Sequence, residues 1–89
     1  MQLSAQDALM LARADINVAK KAEGSKRTII KHYRAAKKAF DNVDVKKTDS
    51  PALNEMIVAF QDLAVALDHS RVQLPEKAVK CRQRANMLR

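Results

Sequence analysis

Apolar side chains recur along this chain at alternating spacings of three and four residues, the period of helices with one face turned inward. Four such stripes follow one another. The first holds Leu9, Ala12, Ile16 and Ala19, with Leu11 and Val18 widening it. Ahead of it, Ser4 and Asp7 have the spacing at which a serine caps free amides and an acid is favoured by the helix dipole. A helix is therefore predicted from about residue 5, stopped by Gly24, with Ser25 as the next cap. The second stripe, Ile29, Tyr33, Ala36, Phe40 and Val43, predicts a helix over residues 26–42. The third, Leu53, Met56, Ile57, Phe60, Leu63, Ala64 and Leu67, is broad enough for the most buried helix. Its start is marked by Ser50-Pro51, a cap followed by a proline whose missing amide costs nothing in the first turn. The fourth runs through Leu74, Ala78, Cys81, Ala85 and Leu88, a narrow heptad-like seam opened by Pro75 and Glu76.

Between Asp41 and Ser50 the periodicity fails, and polar residues dominate. The pattern predicts an all-α domain, a four-helix bundle made of two antiparallel helical hairpins. These cover residues 4–43 and 51–89, joined by a connector over residues 44–50. One glycine and two prolines leave too few turn formers for a β sandwich or barrel. At 89 residues the chain fits one domain with an economical core. Its apolar content is heavy in alanine, and Tyr33, Phe40 and Phe60 are the only aromatics, so the helices must approach closely. The last helix reaches Arg89 without a cap, a glycine or a polar tail, which predicts that the chain is the amino-terminal part of a longer protein.

The stretch from Leu74-Pro75-Glu76-Lys77-Ala78 through Val79-Lys80-Cys81-Arg82-Gln83-Arg84-Ala85 resembles the second helix of a tetratricopeptide repeat. In that family small residues let paired helices approach closely. Arg82 stands where the family places an aromatic. Aligning Ile29, Tyr33, Ala36 and Phe40 with Ala78, Arg82, Ala85 and Arg89 gives an offset of 49 (from 29 to 78), longer than the family's repeat of about 34. The resemblance implies stacked helical hairpins, and a plain up-down bundle would use the same stripes. The runs Lys31-His32-Tyr33-Arg34-Ala35-Ala36-Lys37-Lys38-Ala39-Phe40 and Phe60-Gln61-Asp62-Leu63-Ala64 look like the helical amino-terminal regions of large multidomain fungal proteins. That likeness implies an adaptor or oligomerisation role.

Catalytic chemistry is not expected. His32, His69 and Cys81 fall on three different elements and lack any zinc-ligand spacing, so no metal is expected. A single glycine cannot build a phosphate-wrapping loop, and no cofactor is implied. One cysteine cannot make an internal disulfide, which favours a reducing intracellular compartment, cytoplasmic or nuclear. The longest apolar run, residues 63–67, is far short of the roughly 20 residues of a membrane span. The amino terminus lacks the basic start and apolar run of a secretory signal.

Charge gives the chain its direction. The net charge is +7, which suits an anionic partner. Six of the bases, Lys26, Arg27, Lys31, Arg34, Lys37 and Lys38, fall on the second helix with no acid among them. Lys31, Arg34 and Lys38 repeat at three and four and so share one side. The expected function is a non-catalytic protein-protein interaction or self-association domain. Leu74, Cys81 and Leu88 would line its seam, with Lys31, Arg34, Lys38, Lys77 and Lys80 as the rim. The alternative is nucleic-acid binding through the basic face of the second helix, where the cations would neutralise phosphates. Base stacking, however, requires aromatics, and Tyr33 is expected in the core.

Overall fold

The computed structural model describes residues 2–21, 25–69 and 72–89. It contains four helices, α1 (Ala5–Lys21), α2 (Lys26–Asp41), α3 (Ser50–Asp68) and α4 (Pro75–Met87), with a short 3-10 turn at Val45–Lys47. The chain is all-α, and no strand forms among the described residues. The predicted stop at Gly24 lies outside them.

Local chemistry sets the helix starts. Ser4 Oγ accepts the Asp7 amide at 3.1 Å, and Ser25 Oγ accepts the Thr28 amide at 3.2 Å. Both serve as the sequence predicts, taking up amides that lack a partner in the first turn. At α3 the cap is Asp49, whose carboxylate accepts the Ala52 amide at 3.1 Å. The predicted cap, Ser50, is instead the first helical residue. A carboxylate both accepts the hydrogen bond and meets the positive end of the helix dipole, so Asp49 prevails over its neighbour. The chain enters α4 without a side-chain cap. Gln73 takes a positive φ of 52°, and the Leu74 amide beyond it bonds back to the Leu67 carbonyl at 2.8 Å.

Side-chain bonds fix the helix directions. Asp15, six residues before the end of α1, meets His32, six residues after the start of α2, at 2.7 Å. These two helices are therefore antiparallel. Arg84 in the last turn of α4 lies over the ring of Phe60, about midway along α3, at 4.9 Å, and Asp68 at the end of α3 bonds Arg82, earlier in α4. Between α1 and α3, Lys20 bonds Asp62 at 3.4 Å near both carboxy-terminal ends. At the opposite end, residues 2–6 and 44–49 line one cavity. Those two helices run in the same direction, so the second hairpin stacks on the first in a repeated sense.

A single core runs through all four helices. On α2 the buried set is Ile29, Tyr33, Ala36 and Phe40, as predicted, whereas the fifth predicted position, Val43, lies beyond the helix and is half-buried. Phe40 meets Phe60 with ring centroids 5.1 Å apart, in a tilted arrangement that favours contact between ring edge and face. On α3, Met56, Ile57, Phe60, Leu63, Ala64 and Leu67 are buried as expected, whereas Leu53 is half-buried. On α1, Ala12, Ile16 and Ala19 are buried, Leu9 and Val18 are half-buried, and Leu11 is 61% exposed. Leu11 thus departs from the predicted stripe, and its place is taken by Ala5 and Ala8. Those methyl-sized side chains let α1 approach its neighbours closely. The buried rows of the second helices correspond at an offset of 45, pairing Tyr33 with Ala78, Ala36 with Cys81 and Phe40 with Ala85, and Ile29 with half-buried Leu74 just before α4. The sequence alignment at 49 missed this register because it matched Tyr33 with exposed Arg82.

Candidate functional site

The buried row of α2 leaves the opposite side of that helix to solvent. Arg27, Lys31, Arg34 and Lys38, spaced four, three and four apart, form a continuous row along that pole, and all four are exposed. Lys26 flanks them. The row spans eleven residues, about 16 Å at the helical rise. None of these five cations makes an ion pair among the described residues.

The other bases are occupied differently. Lys37, on the side of α2 nearer α4, shares Asp41 with Arg84, at 3.0 Å and 2.7 Å. Burial alone would push the Asp41 carboxyl upward, but hydrogen bonds from Arg84 and Lys37 outweigh it and hold the group below its ordinary value. Lys20 is engaged by Asp62, and Arg82 by Asp68. Among the described residues, Asp41, Asp62 and Asp68 take up bases, and no acid pairs with the pole of α2.

A shallow depression on α2 is lined by Lys26, Arg27, Ile30, Lys31 and Arg34. Half-buried Ile30 supplies an apolar floor within the charged ring. Sequence reasoning missed Arg27 and Ile30 as members of this surface. Arg27 could have been found by extending the Lys31-Arg34-Lys38 row one turn backwards. Ile30 could not, because an apolar residue beside a buried stripe reads as core.

The remaining predicted site residues divide. Lys80 is exposed and Lys77 half-buried on α4, where they line a separate depression of about 330 Å³ with Gln73, Leu74, Pro75 and Glu76. The structure brings Lys31 and Arg34 together, with Lys38 next along the row, but Lys77 and Lys80 line a different surface. Leu74 and Leu88 are half-buried against the core, and Cys81 is only 2% exposed within it. The seam they form is turned inward, because the broad apolar face of α3 covers it.

Within that seam the Tyr33 hydroxyl of α2 and the Cys81 thiol of α4 are neighbours. Burial first, and then the neighbouring sulfur, push the Tyr33 hydroxyl from 10.0 to about 12. Burial also raises the Cys81 thiol, only partly offset by Tyr33 and nearby cations. A covered thiol held in its protonated form packs as a small apolar group rather than acting as a nucleophile. Among the described residues, no three His, Cys, Asp or Glu side chains gather where they could hold a metal ion. Among them, too, no helix is long and apolar enough to cross a membrane. No protein-family model matches this chain, and neither a curated protein nor a solved structure does.

Proposed function

We propose that the domain is a non-catalytic interaction module that binds an acidic segment of a partner protein along the α2 pole. The observation that carries this reading is the unpaired cation row, Arg27, Lys31, Arg34 and Lys38, beside the apolar floor of Ile30. About 16 Å of aligned positive charge suits some three turns of an acidic helix, and Ile30 offers a seat for one apolar side chain of that helix. Electrostatic complementarity of this kind sets partner choice and association rate. The stacked hairpins and their small-residue crossings support the tetratricopeptide-like resemblance and a scaffold role.

Nucleic acid is the second reading, favoured by the same cations. The pole carries no aromatic to stack a base, since Tyr33 is buried, so the protein partner is preferred. Fluorescence anisotropy separates the two. A labelled helical peptide with glutamates on one face and a central leucine is expected to bind at moderate salt. The double substitution Arg34→Glu and Lys38→Glu should weaken it by at least about tenfold, equivalent to about 1.4 kcal/mol. Binding of duplex or single-stranded oligonucleotides without binding of the peptide would overturn the protein reading in favour of nucleic acid. Binding of neither would remove the pole as a site.

A further inference from the structure

Two helices expose large apolar side chains away from the basic pole. On α1, Met10 and Leu11 are 71% and 61% exposed, and on α3, Val58 and Val65 are 53% and 67% exposed. A stacked pair of similar units has one internal interface and leaves its two complementary halves uncovered at the ends. The register of this fold identifies those halves.

Internally, α1 meets α3 through Leu9, Arg13, Ile16 and Lys20. The first three, with Asn17, share a groove with Glu55, Val58, Ala59 and Asp62 of α3, where 53% exposed Val58 stands at the rim, and Lys20 bonds Asp62. Adding the offset of 45 carries the face of α1 turned toward α2 onto the face of α3 turned toward α4. Asp15, which bonds His32, corresponds to Phe60, which lies under Arg84, while buried Ala12 and Ala19 correspond to buried Ile57 and Ala64. The same step carries Leu9, Arg13, Ile16 and Lys20 onto Asn54, Val58, Gln61 and Val65, four residues that are all exposed. In the other direction, buried Met56, Ala59 and Leu63 of α3 correspond to Leu11, Ala14 and Val18 of α1. Of these, Leu11 and Ala14 are exposed and Val18 is half-buried. Each open face is the counterpart of a surface that the fold itself covers.

We infer that these faces are the two halves of one interface, and that a second copy of this chain docks its α1 face, Met10, Leu11, Ala14 and Val18, onto Val58 and Val65 of the first. Neither docking stripe carries a charged side chain, so no ion has to be desolvated on contact. No residue of either face belongs to the α2 pole, so this assembly is independent of the acidic-partner reading. Because the two faces differ, the contact is heterologous and continues from copy to copy instead of closing as a symmetric dimer.

Sedimentation equilibrium of the full chain at physiological salt tests this. The average mass should climb with concentration past twice the 10.0 kDa of one chain. Leu11→Lys alters one face and Val65→Lys the other. Each new lysine is flanked at helical spacing by acids, Asp7 and Asp15 or Asp62 and Asp68, that support the helix. Unchanged circular dichroism verifies the fold. Each variant alone should stay near the single-chain mass, because every contact needs one intact α1 face and one intact α3 face, and should lose at least about tenfold in association. Mixed, the two should recover a one-to-one complex through their intact faces. The Arg34→Glu and Lys38→Glu pair should assemble like the parent chain. A parent chain that stays monomeric at every concentration would overturn the inference. So would a Leu11→Lys variant that associates as strongly as the parent, or a mixture that forms no pair.

Discussion

Asp41 receives two cations from different helices, Lys37 from its own and Arg84 from α4, and Arg84 in turn lies over Phe60. One carboxylate thereby holds the outer helices together where the aromatic pair Phe40 and Phe60 fills the core. Its side chain is 42% exposed, so solvent screening limits its contribution to below about 1 kcal/mol. Since the folded state lowers the Asp41 pKa, its stabilisation is complete above the unfolded value of 3.8 and is lost as pH falls through the folded value. Asp41→Asn should cost up to about 1 kcal/mol near neutrality in urea unfolding. That difference should vanish in strong acid. A difference that persists unchanged at low pH would assign the effect to packing. At this scale the sequence is least legible where side chains are smallest. Ala5 and Ala8 are buried, yet a methyl group contributes too little to a hydrophobic pattern to be distinguished from a surface alanine. Asp41 was visible only as an acid next to Phe40, because its second partner lies 43 residues away.

Helix ends and faces were more legible. Ser4, Ser25 and the proline of α3 mark their elements because capping depends on a few adjacent residues. The one-residue error at α3 arose because Asp49 and Ser50 are both good caps, and their order of preference depends on backbone geometry. Asp49→Ala should lower stability by about 1 kcal/mol, whereas Ser50→Ala should change it by less than about 0.5 kcal/mol. Thermal or urea unfolding of the two variants checks the assignment, and the reverse ranking would return the cap to Ser50. Leu11 is a different kind of miss. It widens the predicted stripe onto a side of α1 that neither α2 nor α3 covers.

Across the whole molecule, the large buried side chains are unevenly distributed. Met56, Phe60, Leu63 and Leu67 belong to α3, while α1 buries four alanines and Ile16. In the first hairpin the bulk comes from Ile29, Tyr33 and Phe40 of α2, and Phe40 is completed only by Phe60 of α3. The chain should therefore unfold in one step. Tyr33 is the sole tyrosine and there is no tryptophan, so its fluorescence reports the contact between α2 and α4 while circular dichroism reports all helices. The two unfolding curves in urea should coincide, and separated midpoints would mean that the hairpins are independent. The bundle was legible in the sequence because four stripes of helical period have few other ways to be buried. The candidate site was legible in part. Lys31, Arg34 and Lys38 share a face on any α2, but a narrow seam such as Leu74, Cys81 and Leu88 looks the same whether its own chain or a partner covers it.

The first described residues are not a loose tail. The Leu3 amide bonds the Asn42 carbonyl at 2.8 Å, and Leu3 pairs with Val43 in a single parallel bridge. A probe or tether attached at Gln2 would consequently sit at the junction of the two hairpins. A dye there would sense the connector's movements, and a bulky fusion there would press on the seam between hairpins instead of trailing into solvent.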